Sequence, residues 1–312
     1  GGSNIRSWLP EDLNASDNIK RISENSVDMV NTPLSEKLSE KYKDFLDKYA
    51  QLEHYNINIS GTKYEKPYIY FDADYEYSYK RSSSLYKSML KKISSFQVKG
   101  MIWYQGESQA LDNDVNNYLG LMINLINTLK TDLNTSEYAF EYVQLAPWEN
   151  SEIMDWEDIC NQQREFALKF PKYGMITIGD LGGGLDIHPP VKQKVGERLA
   201  LAALNNEYSV YGEYSGPIAK CAIKNINNII IYFIHCNKLD QKSNIGDFEI
   251  IYSDGSVEKQ EAVISFDCVY LSYDNKKYPE FVQYEYTSNP KIGLFNGSEF
   301  PASIFKINIE DS

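Results

Sequence analysis

Two short polar stretches carry the side chains with which this chain could perform chemistry. In the first, the apolar run over residues 98–103 breaks into Gln105-Gly106-Glu107-Ser108, which is typical of a buried parallel strand that ends in a polar loop. In the second, a glycine-rich loop after another predicted strand closes on Asp186-Ile187-His188-Pro189. Unperturbed imidazole titrates near pH ~6.5, so a histidine can accept and return a proton near neutral pH. Ligands of open α/β sheets bind just past the carboxyl ends of strands, where we expect these side chains.

Of the three histidines, His188 is the candidate for that role. His54 falls at the polar end of a predicted helix and His235 within an apolar strand run, so packing explains both. His188 falls in a loop at the start of a helix, where an imidazole usually faces a cleft. The simpler interpretation of Asp186 is a helix N-cap partner, which is compatible with a second role beside His188.

Strands and helices alternate around these stretches. Strands are predicted over residues 98–103, 138–145 and 174–178, and helices over residues 84–93, 115–133, 156–170 and 191–204. An amphipathic helix over 34–53 precedes them, and the irregular sequence over 56–81 is interpreted as an insertion near the mouth of the site. This alternation predicts an α/β fold, a parallel sheet with helices on both faces.

Beyond Tyr208 the sequence changes to short β-type runs with no helical pattern between them. These runs cover residues 218–223, 228–235, 248–252, 262–266, 269–273 and 281–286. The turn Ser253-Asp254-Gly255-Ser256 is the clearest hairpin signal. We therefore predict an α/β domain over residues 1–208, followed by a smaller antiparallel, sandwich-like β domain over residues 209–312.

The charge of the chain argues against some classes of partner. The net charge of −13 over 312 residues disfavours nucleic acid, whose phosphates require clustered Lys and Arg. It also disfavours, more weakly, an anionic membrane surface. No run of about 18 apolar residues is present, so no membrane span is predicted. No signal segment is visible, and the compartment, secreted or cytoplasmic, stays open.

Neither the cysteines nor the glycine-rich loop indicates a cofactor. The four cysteines lack CxxC or His-Cys spacing, so a zinc site is not expected. Cys221 and Cys236 fall in successive predicted strands and either pair across a hairpin or remain buried free thiols. The loop over residues 179–185 lacks GxGxxG spacing and a following Lys-Ser/Thr, so it does not resemble a phosphate-binding loop.

Three blocks of the sequence resemble one enzyme family. Trp103-Tyr-Gln-Gly-Glu-Ser108 is similar to the signature of the sialate O-acetylesterases, carbohydrate esterases of the SGNH hydrolase superfamily. The segment from Asp186 to Ala202 resembles the family's histidine block, and Gly1-Gly2-Ser3-x-Ile5-x-x-Trp8 resembles its Gly-Gly-Thr/Ser-x-Ile-x-x-Trp block. The resemblance implies a three-layer SGNH-hydrolase-like fold. It also implies serine-hydrolase removal of O-acetyl groups from sialic acid or a related sugar, without metal or cofactor.

The resemblance also implies roles for individual residues. His188 would be the base and Asp186 its orienting partner, as the logic of a catalytic triad requires. An oxyanion hole would be formed by the Gln105 side-chain amide and the Gly2 backbone N–H. Glu107, Tyr104 and Trp148 would line the sugar-binding cleft. Many SGNH enzymes place the aspartate three residues before the histidine, where this chain has Leu185, so a dyad or help from Glu107 stays open.

The position of the nucleophilic serine has three interpretations. Ser3 could be that residue, if residues 1–4 are a degenerate Gly-x-Ser-Asn block. The match of Ile5 and Trp8 favours the Gly-Gly-Ser-x-Ile block instead, which would place the serine upstream, on an N-terminal segment or a separate subunit. A cloning linker is the third interpretation. The competing functions are an acetylxylan-type esterase and a non-catalytic carbohydrate-binding relative, and the acetyl position attacked is left open.

Overall fold

The computed structural model describes residues 2–13, 82–111, 115–135, 138–149 and 155–311. The predicted helix over 34–53, the irregular segment over 56–81 and His54 lie outside these residues. The described N-terminal segment forms two 3₁₀ turns, Ile5–Trp8 and Glu11–Leu13.

The first part of the chain contains the predicted parallel sheet. Its strands are β1 (Gly100–Trp103), β2 (Ala139–Val143) and β3 (Gly174–Ile176), hydrogen-bonded in that order and all parallel. The helices are α1 (Ser84–Ser88), α2 (Glu107–Leu111), α3 (Tyr118–Asp132), α4 (Trp156–Lys169) and α5 (Lys192–Tyr208). A 3₁₀ turn, Leu90–Ile93, follows α1. The predicted alternation of strands and helices is therefore confirmed.

The central strand β2 shows how helices cover both faces of this sheet. All five of its residues are buried, and successive side chains point to opposite faces. Phe140 and Tyr142 join the hydrophobic cluster that includes the buried faces of α3 and α4. Val143 joins a second cluster with Leu199 and Ala202 of α5. This two-sided burial explains why four of its five residues are apolar or aromatic, Glu141 being the exception.

Two local predictions were wrong. The first strand was expected to be buried, whereas only Trp103 of the four residues of β1 is buried and Ile102 is 68% exposed. Glu107 and Ser108 were assigned to a polar loop, whereas they begin helix α2. Gly106 adopts a φ of +151°, which residues with a side chain rarely accept, so the chain turns from β1 into α2 within three residues. Glu107 then occupies the first turn, where a carboxylate interacts favourably with the helix dipole.

The second part of the chain consists of β-strands. They are β4 (Ile218–Lys224), β5 (Asn228–Ile234), β6 (Leu239–Gln241), β7 (Phe248–Tyr252), β8 (Val257–Gln260), β9 (Ala262–Ser265), β10 (Cys268–Ser272), β11 (Pro279–Tyr284), β12 (Leu294–Asn296) and β13 (Phe305–Asp311). Eight of them form one sheet in the order β8-β7-β11-β13-β4-β5-β10-β9, while β6 and β12 form a separate pair. The hairpin predicted at Ser253–Ser256 is confirmed between β7 and β8, with Gly255 at a φ of +82°.

The expectation of a purely antiparallel β region needs a correction. β13 pairs with β4 in parallel, with Ile309 opposite Ala222, so the sheet is only mostly antiparallel. A pairing of this kind joins residues about 85 positions apart and leaves no local signature in the sequence. By strand number this sheet is also larger than the parallel one, eight strands against three.

Polar contacts attach the β-strand part to α4. The Arg164 guanidinium is buried and donates to the Ala219 carbonyl at 2.8 Å. The Asn161 amide donates to the Lys306 carbonyl at 3.1 Å and accepts from the Lys306 backbone N–H at 3.3 Å. These side chains provide hydrogen-bond partners for backbone groups of β4 and β13. Helix α4 therefore packs on the parallel sheet and also bonds to the larger sheet.

Strand register decides whether Cys221 and Cys236 form a disulfide or remain free thiols. Cys221 lies opposite Tyr232 in the β4–β5 pair, and Cys236 follows the end of β5. Cys160, Cys221, Cys236 and Cys268 all carry free thiols. The interpretation as unpaired cysteines is therefore correct. None of the described helices combines the length and apolarity that crossing a bilayer requires.

A buried carboxyl in β2 leads to a stability prediction. Glu141 is 2% exposed and accepts hydrogen bonds from the Asn206 amide at 3.1 and 3.3 Å. Burial raises its pKa from an ordinary 4.5 to about 7. The Asn206 hydrogen bond opposes this rise, and the nearby charge of Glu207 adds to it. Because the folded-state pKa exceeds the unfolded value, the stabilising contribution is present below pH ~4.5 and is lost as pH rises through ~7.

Glu141→Gln should therefore flatten the pH dependence of the free energy of unfolding. The difference of about 2.5 pKa units corresponds to about 3 kcal/mol between pH ~4.5 and pH ~7.5. Urea unfolding of both proteins at those two pH values measures the effect. Glu197→Gln, on the exposed side of α5, is the matched control and should keep the wild-type slope. Equal slopes for Glu141→Gln and the wild type would contradict the prediction.

Candidate active site

The loops that follow β2 and β3 are tied together beyond the carboxyl edge of the parallel sheet. The Gly183 N–H donates to the Pro147 carbonyl at 2.7 Å. The Trp148 indole N–H donates to the Leu185 carbonyl at 3.1 Å. The segment that carries Asp186 and His188 is thus held against the loop after β2.

An ion pair anchors the beginning of the loop after β3. The Arg198 guanidinium on α5 binds both carboxylate oxygens of Asp180, each at 2.7 Å. It also donates to the Thr177 carbonyl at 2.7 Å. Arg198 is 8% exposed, and a bidentate pair of this kind specifies direction as well as distance. The backbone that leads to His188 is therefore fixed at its start by α5.

Asp186 and His188 lie side by side at the end of this loop. The His188 backbone N–H donates to Asp186 Oδ1 at 2.8 Å. The same oxygen lies 3.4 Å from His188 Nδ1, and the two side chains are 75% and 74% exposed. Asp186 therefore both closes the turn and faces one imidazole nitrogen, so Nε2 is the nitrogen left for a reacting group.

Gln105, at the end of β1, is held by buried hydrogen bonds. Its side chain is 6% exposed. Its backbone carbonyl accepts from the Tyr118 hydroxyl at 2.8 Å and from the Gln163 amide at 3.1 Å. Its side-chain nitrogen donates to Gln109 Oε1. Helices α2, α3 and α4 thus each contribute one partner to this residue.

Electrostatic and ring contacts connect the loop after β1 with the start of α5. The Lys192 ammonium lies 4.7 Å from the centre of the Tyr104 ring. Burial raises the pKa of Glu107, and the nearby charge of Lys192 opposes that rise. Tyr104 adjoins Gln105, so the Lys192 contact brings the start of α5 close to the loop after β1.

The N-terminal segment lies against α2. The Ser108 hydroxyl donates to the Gly2 carbonyl at 3.2 Å, and Gly2 has a φ of +72°. The Ser3 hydroxyl accepts from the Trp8 indole N–H at 3.0 Å. Within the described part of the chain, no hydrogen bond joins Ser3 to His188. The structure thus places Gly2 next to the loop that carries Gln105.

The tryptophans of the site differ in exposure. Trp103 is 6% exposed and packs edge-on against Trp8, with ring centres 5.9 Å apart, so its role is in the core. Trp148 is half-buried and lies 5.2 Å from the Trp156 ring. Trp148 therefore holds two loops together and still presents part of its ring at the surface.

His235 and the acidic residues do not form a second site. The predicted packing role of His235 agrees with its partial burial, which lowers its pKa to about 4. Its Nδ1 lies 3.8 Å from Glu213. Across the described segments, no group of three or more His, Cys, Asp or Glu residues is arranged to hold a metal ion.

Sequence reasoning missed four residues that position this region. Lys192 and Arg198 belong to the histidine block, so their spacing from His188 was a usable signal. Gln109 lies in α2, which was not predicted as a helix, so its contact with Gln105 could not be anticipated. Asp180 gave no signal, because its partner lies 18 residues away.

Comparisons with known proteins find carbohydrate esterases. Residues 73–205 match the family model for carbohydrate esterases described as sialic acid-specific acetylesterases. The crystal structure of a carbohydrate acetylesterase from Xanthomonas citri superposes with a TM-score of 0.67 at 30% sequence identity, covering 73% of this chain and 55% of that one. A protein of Arabidopsis thaliana named "Probable carbohydrate esterase At4g34215" is 35% identical over 74 residues, 22% of this chain and 28% of that protein.

These matches bear directly on the blocks identified in the sequence. The chain spans about half the length of the Xanthomonas chain and under a third of the Arabidopsis protein. The matched residues include the Gln105 and His188 blocks, whereas the block over residues 1–8 lies outside them. The predicted resemblance is confirmed: over residues 73–205 this chain matches the sialic acid-specific acetylesterase family of carbohydrate esterases.

Proposed function

We propose that this protein removes O-acetyl groups from a carbohydrate, sialic acid in particular, by serine-hydrolase chemistry. One observation carries the proposal: the Gln105 loop and the His188 segment both follow the carboxyl ends of strands of one parallel sheet, and Lys192, four residues after His188, lies 4.7 Å from the ring of Tyr104, next to Gln105. That edge is where open α/β sheets bind their ligands. The family match over residues 73–205 supports the same chemistry.

The architecture supports a finer proposal about the fold. Helices α3 and α4 pack on one face of the parallel sheet and α5 on the other, which agrees with a three-layer SGNH-hydrolase-like arrangement. We divide the chain into an esterase domain over residues 1–208 and a β domain over residues 209–312. Most of the buried β-strand residues of the second part form a hydrophobic cluster of their own, which supports this boundary.

In the proposed mechanism, His188 is the general base. A serine Oγ attacks the acetyl carbonyl carbon while its proton moves to His188 Nε2. Asp186, 3.4 Å from Nδ1, holds the ring and stabilises the imidazolium. The tetrahedral intermediate then collapses, and the imidazolium proton goes to the departing sugar oxygen. Water, deprotonated by His188, hydrolyses the acetyl-serine and releases acetate.

The negative charge of the tetrahedral intermediate needs donors. We assign this task to the Gln105 side-chain amide and the Gly2 backbone N–H, because both residues contact helix α2, Gln105 through Gln109 and Gly2 through Ser108. Glu107, Tyr104 and Trp148 are assigned to substrate binding, because they border this edge and two of them present aromatic surface. The partner is thus an O-acetylated carbohydrate.

We assign the nucleophilic serine to an N-terminal segment or a subunit that approaches β1 on the side away from β2. Within the described part of the chain, β1 pairs with β2 only. Ile102 on β1 is 68% exposed, although strands of parallel sheets are normally covered. A further strand at this edge would end beside Gln105. The alternative nucleophile, Ser3, has its hydroxyl engaged by Trp8 at 3.0 Å.

Hydrolysis of 4-nitrophenyl acetate by the native protein tests the activity. Turnover is expected, and its absence would favour a non-catalytic carbohydrate-binding protein. Among substrates, faster release of acetate from O-acetylated sialic acid than from acetylxylan is expected, and the reverse order would assign the protein to the acetylxylan-type esterases. Labelling of this 312-residue chain by a fluorophosphonate that Ser3→Ala abolishes would identify Ser3 as the nucleophile. An unlabelled chain would exclude Ser3.

A further inference from the structure

Three buried side-chain amides form a continuous line behind the candidate active site. The Gln105 nitrogen donates to Gln109 Oε1, and the Gln109 nitrogen donates to Asn4 Oδ1. Gln105, Gln109 and Asn4 are 6%, 0% and 8% exposed. The line therefore connects the loop after β1, helix α2 and the N-terminal segment in an environment where each polar group needs a partner.

A backbone group determines the direction of every hydrogen bond in this line. The Arg6 backbone N–H lies 2.9 Å from Asn4 Oδ1, and a backbone N–H can only donate. The atom of Asn4 at this point must therefore be the oxygen, so Gln109 must present its nitrogen to Asn4. The Gln109 oxygen then faces Gln105, so Gln105 must donate from its side-chain nitrogen.

The other end of the line is compatible with this orientation. The Tyr118 hydroxyl donates to the Gln105 backbone carbonyl at 2.8 Å and lies 3.2 Å from Gln105 Oε1. A reversed Gln105 amide would place its oxygen against Gln109 Oε1, so that two acceptors would face each other in a buried setting. The Tyr118 hydroxyl can also accept a hydrogen bond, so the contact with Gln109 is the one that excludes the reversed amide.

We propose that Gln109 is a positioning residue that sets the orientation of the Gln105 amide, with Asn4 fixing Gln109 in turn. This inference rests on the proposed function, in which Gln105 donates to the oxyanion. Once one proton of the Gln105 NH₂ group is committed to Gln109, the other is the proton available to the intermediate. A reversed amide would offer the oxyanion an oxygen, and the intermediate would be destabilised.

Two variants of Gln109 separate positioning from packing. Gln109→Leu removes both hydrogen bonds and should lower kcat roughly 10- to 100-fold with KM nearly unchanged. In Gln109→Glu, a protonated carboxyl can still accept from Gln105 and donate to Asn4, whereas the ionised form cannot donate. The ratio of variant to wild-type kcat should therefore rise as pH falls, and burial should bring that rise toward neutral pH. A ratio that does not depend on pH would overturn the proposal.

A second readout does not require turnover. In protein labelled with ¹⁵N-glutamine, Gln109→Leu should shift the side-chain amide resonances of Gln105, because one of its protons loses its acceptor. Gln283→Leu, which removes a glutamine of β11 bonded to Glu249, is the control and should leave them unchanged. Unchanged Gln105 resonances in Gln109→Leu would overturn the proposal. Shifted resonances in a protein without esterase activity would support the orienting role of Gln109 and remove the proposed function instead.

Discussion

Replacing His188 with alanine is expected to lower kcat for acetyl-ester hydrolysis in the native protein by about four to six orders of magnitude. The variant loses both the base that activates the nucleophile and the acid that protonates the departing sugar oxygen. Asp186 faces Nδ1 at 3.4 Å, and in the proposed mechanism the two side chains act as a unit, so a variant without the imidazole loses the function of both. Initial rates with 4-nitrophenyl acetate and with an O-acetylated sugar measure the loss.

Because His188 is exposed, its replacement tests catalysis without a large effect on stability. The side chain is 74% exposed, so its removal should change the free energy of unfolding by no more than about 0.5 kcal/mol. Added imidazole should restore part of the activity of His188→Ala, since the space left by this exposed side chain is open to solvent. Lys194→Ala, an exposed neighbour on α5, should hydrolyse the ester at the wild-type rate. A His188→Ala variant within tenfold of wild type would exclude His188 as the base.

Helices and strands could be predicted where their burial produces a recognisable pattern of apolar residues in the sequence. β2 was predicted because both of its faces are covered, and the hairpin after β7 because Gly255 must adopt a positive φ. Helix α2 was missed, because five residues are too few for a helical stripe to appear. The parallel pairing of β13 with β4 was missed for a different reason, since it depends on contacts between distant segments.

The residues of the candidate site likewise fall into those that the sequence could predict and those that it could not. Gln105 and His188 were singled out because the segments that carry them resemble blocks of the esterase family, whereas a strand followed by a polar turn would by itself indicate an ordinary turn. The residues that hold them were not predicted, because Asp180 with Arg198, and Asn4 with Gln109, are pairs whose spacing has no meaning until the chain is folded. Sequence patterns thus indicate candidate residues, while the orientation of their side chains depends on long-range hydrogen bonds.

Among the oriented side chains, the Gln105 amide is expected to have the largest effect on kcat. Gln105→Leu should lower kcat by about 100- to 1000-fold and leave KM nearly unchanged, because the donor acts on the tetrahedral intermediate rather than on the bound ester. The same change leaves Gln109 Oε1 without its donor, which should cost about 1 to 3 kcal/mol of stability. Steady-state kinetics and urea unfolding of the same preparation measure the two effects separately.

A second buried glutamine supplies the control that distinguishes catalysis from stability. Gln144 is 5% exposed and donates to the Cys160 carbonyl at 3.0 Å and to the Ser303 hydroxyl at 2.7 Å. Gln144→Leu should therefore destabilise the protein by a similar amount, yet its kcat should stay within a few-fold of wild type. If both variants lose activity in proportion to their loss of stability, Gln105 only supports the fold. If Gln105→Leu alone loses 100-fold or more, its amide acts on the oxyanion.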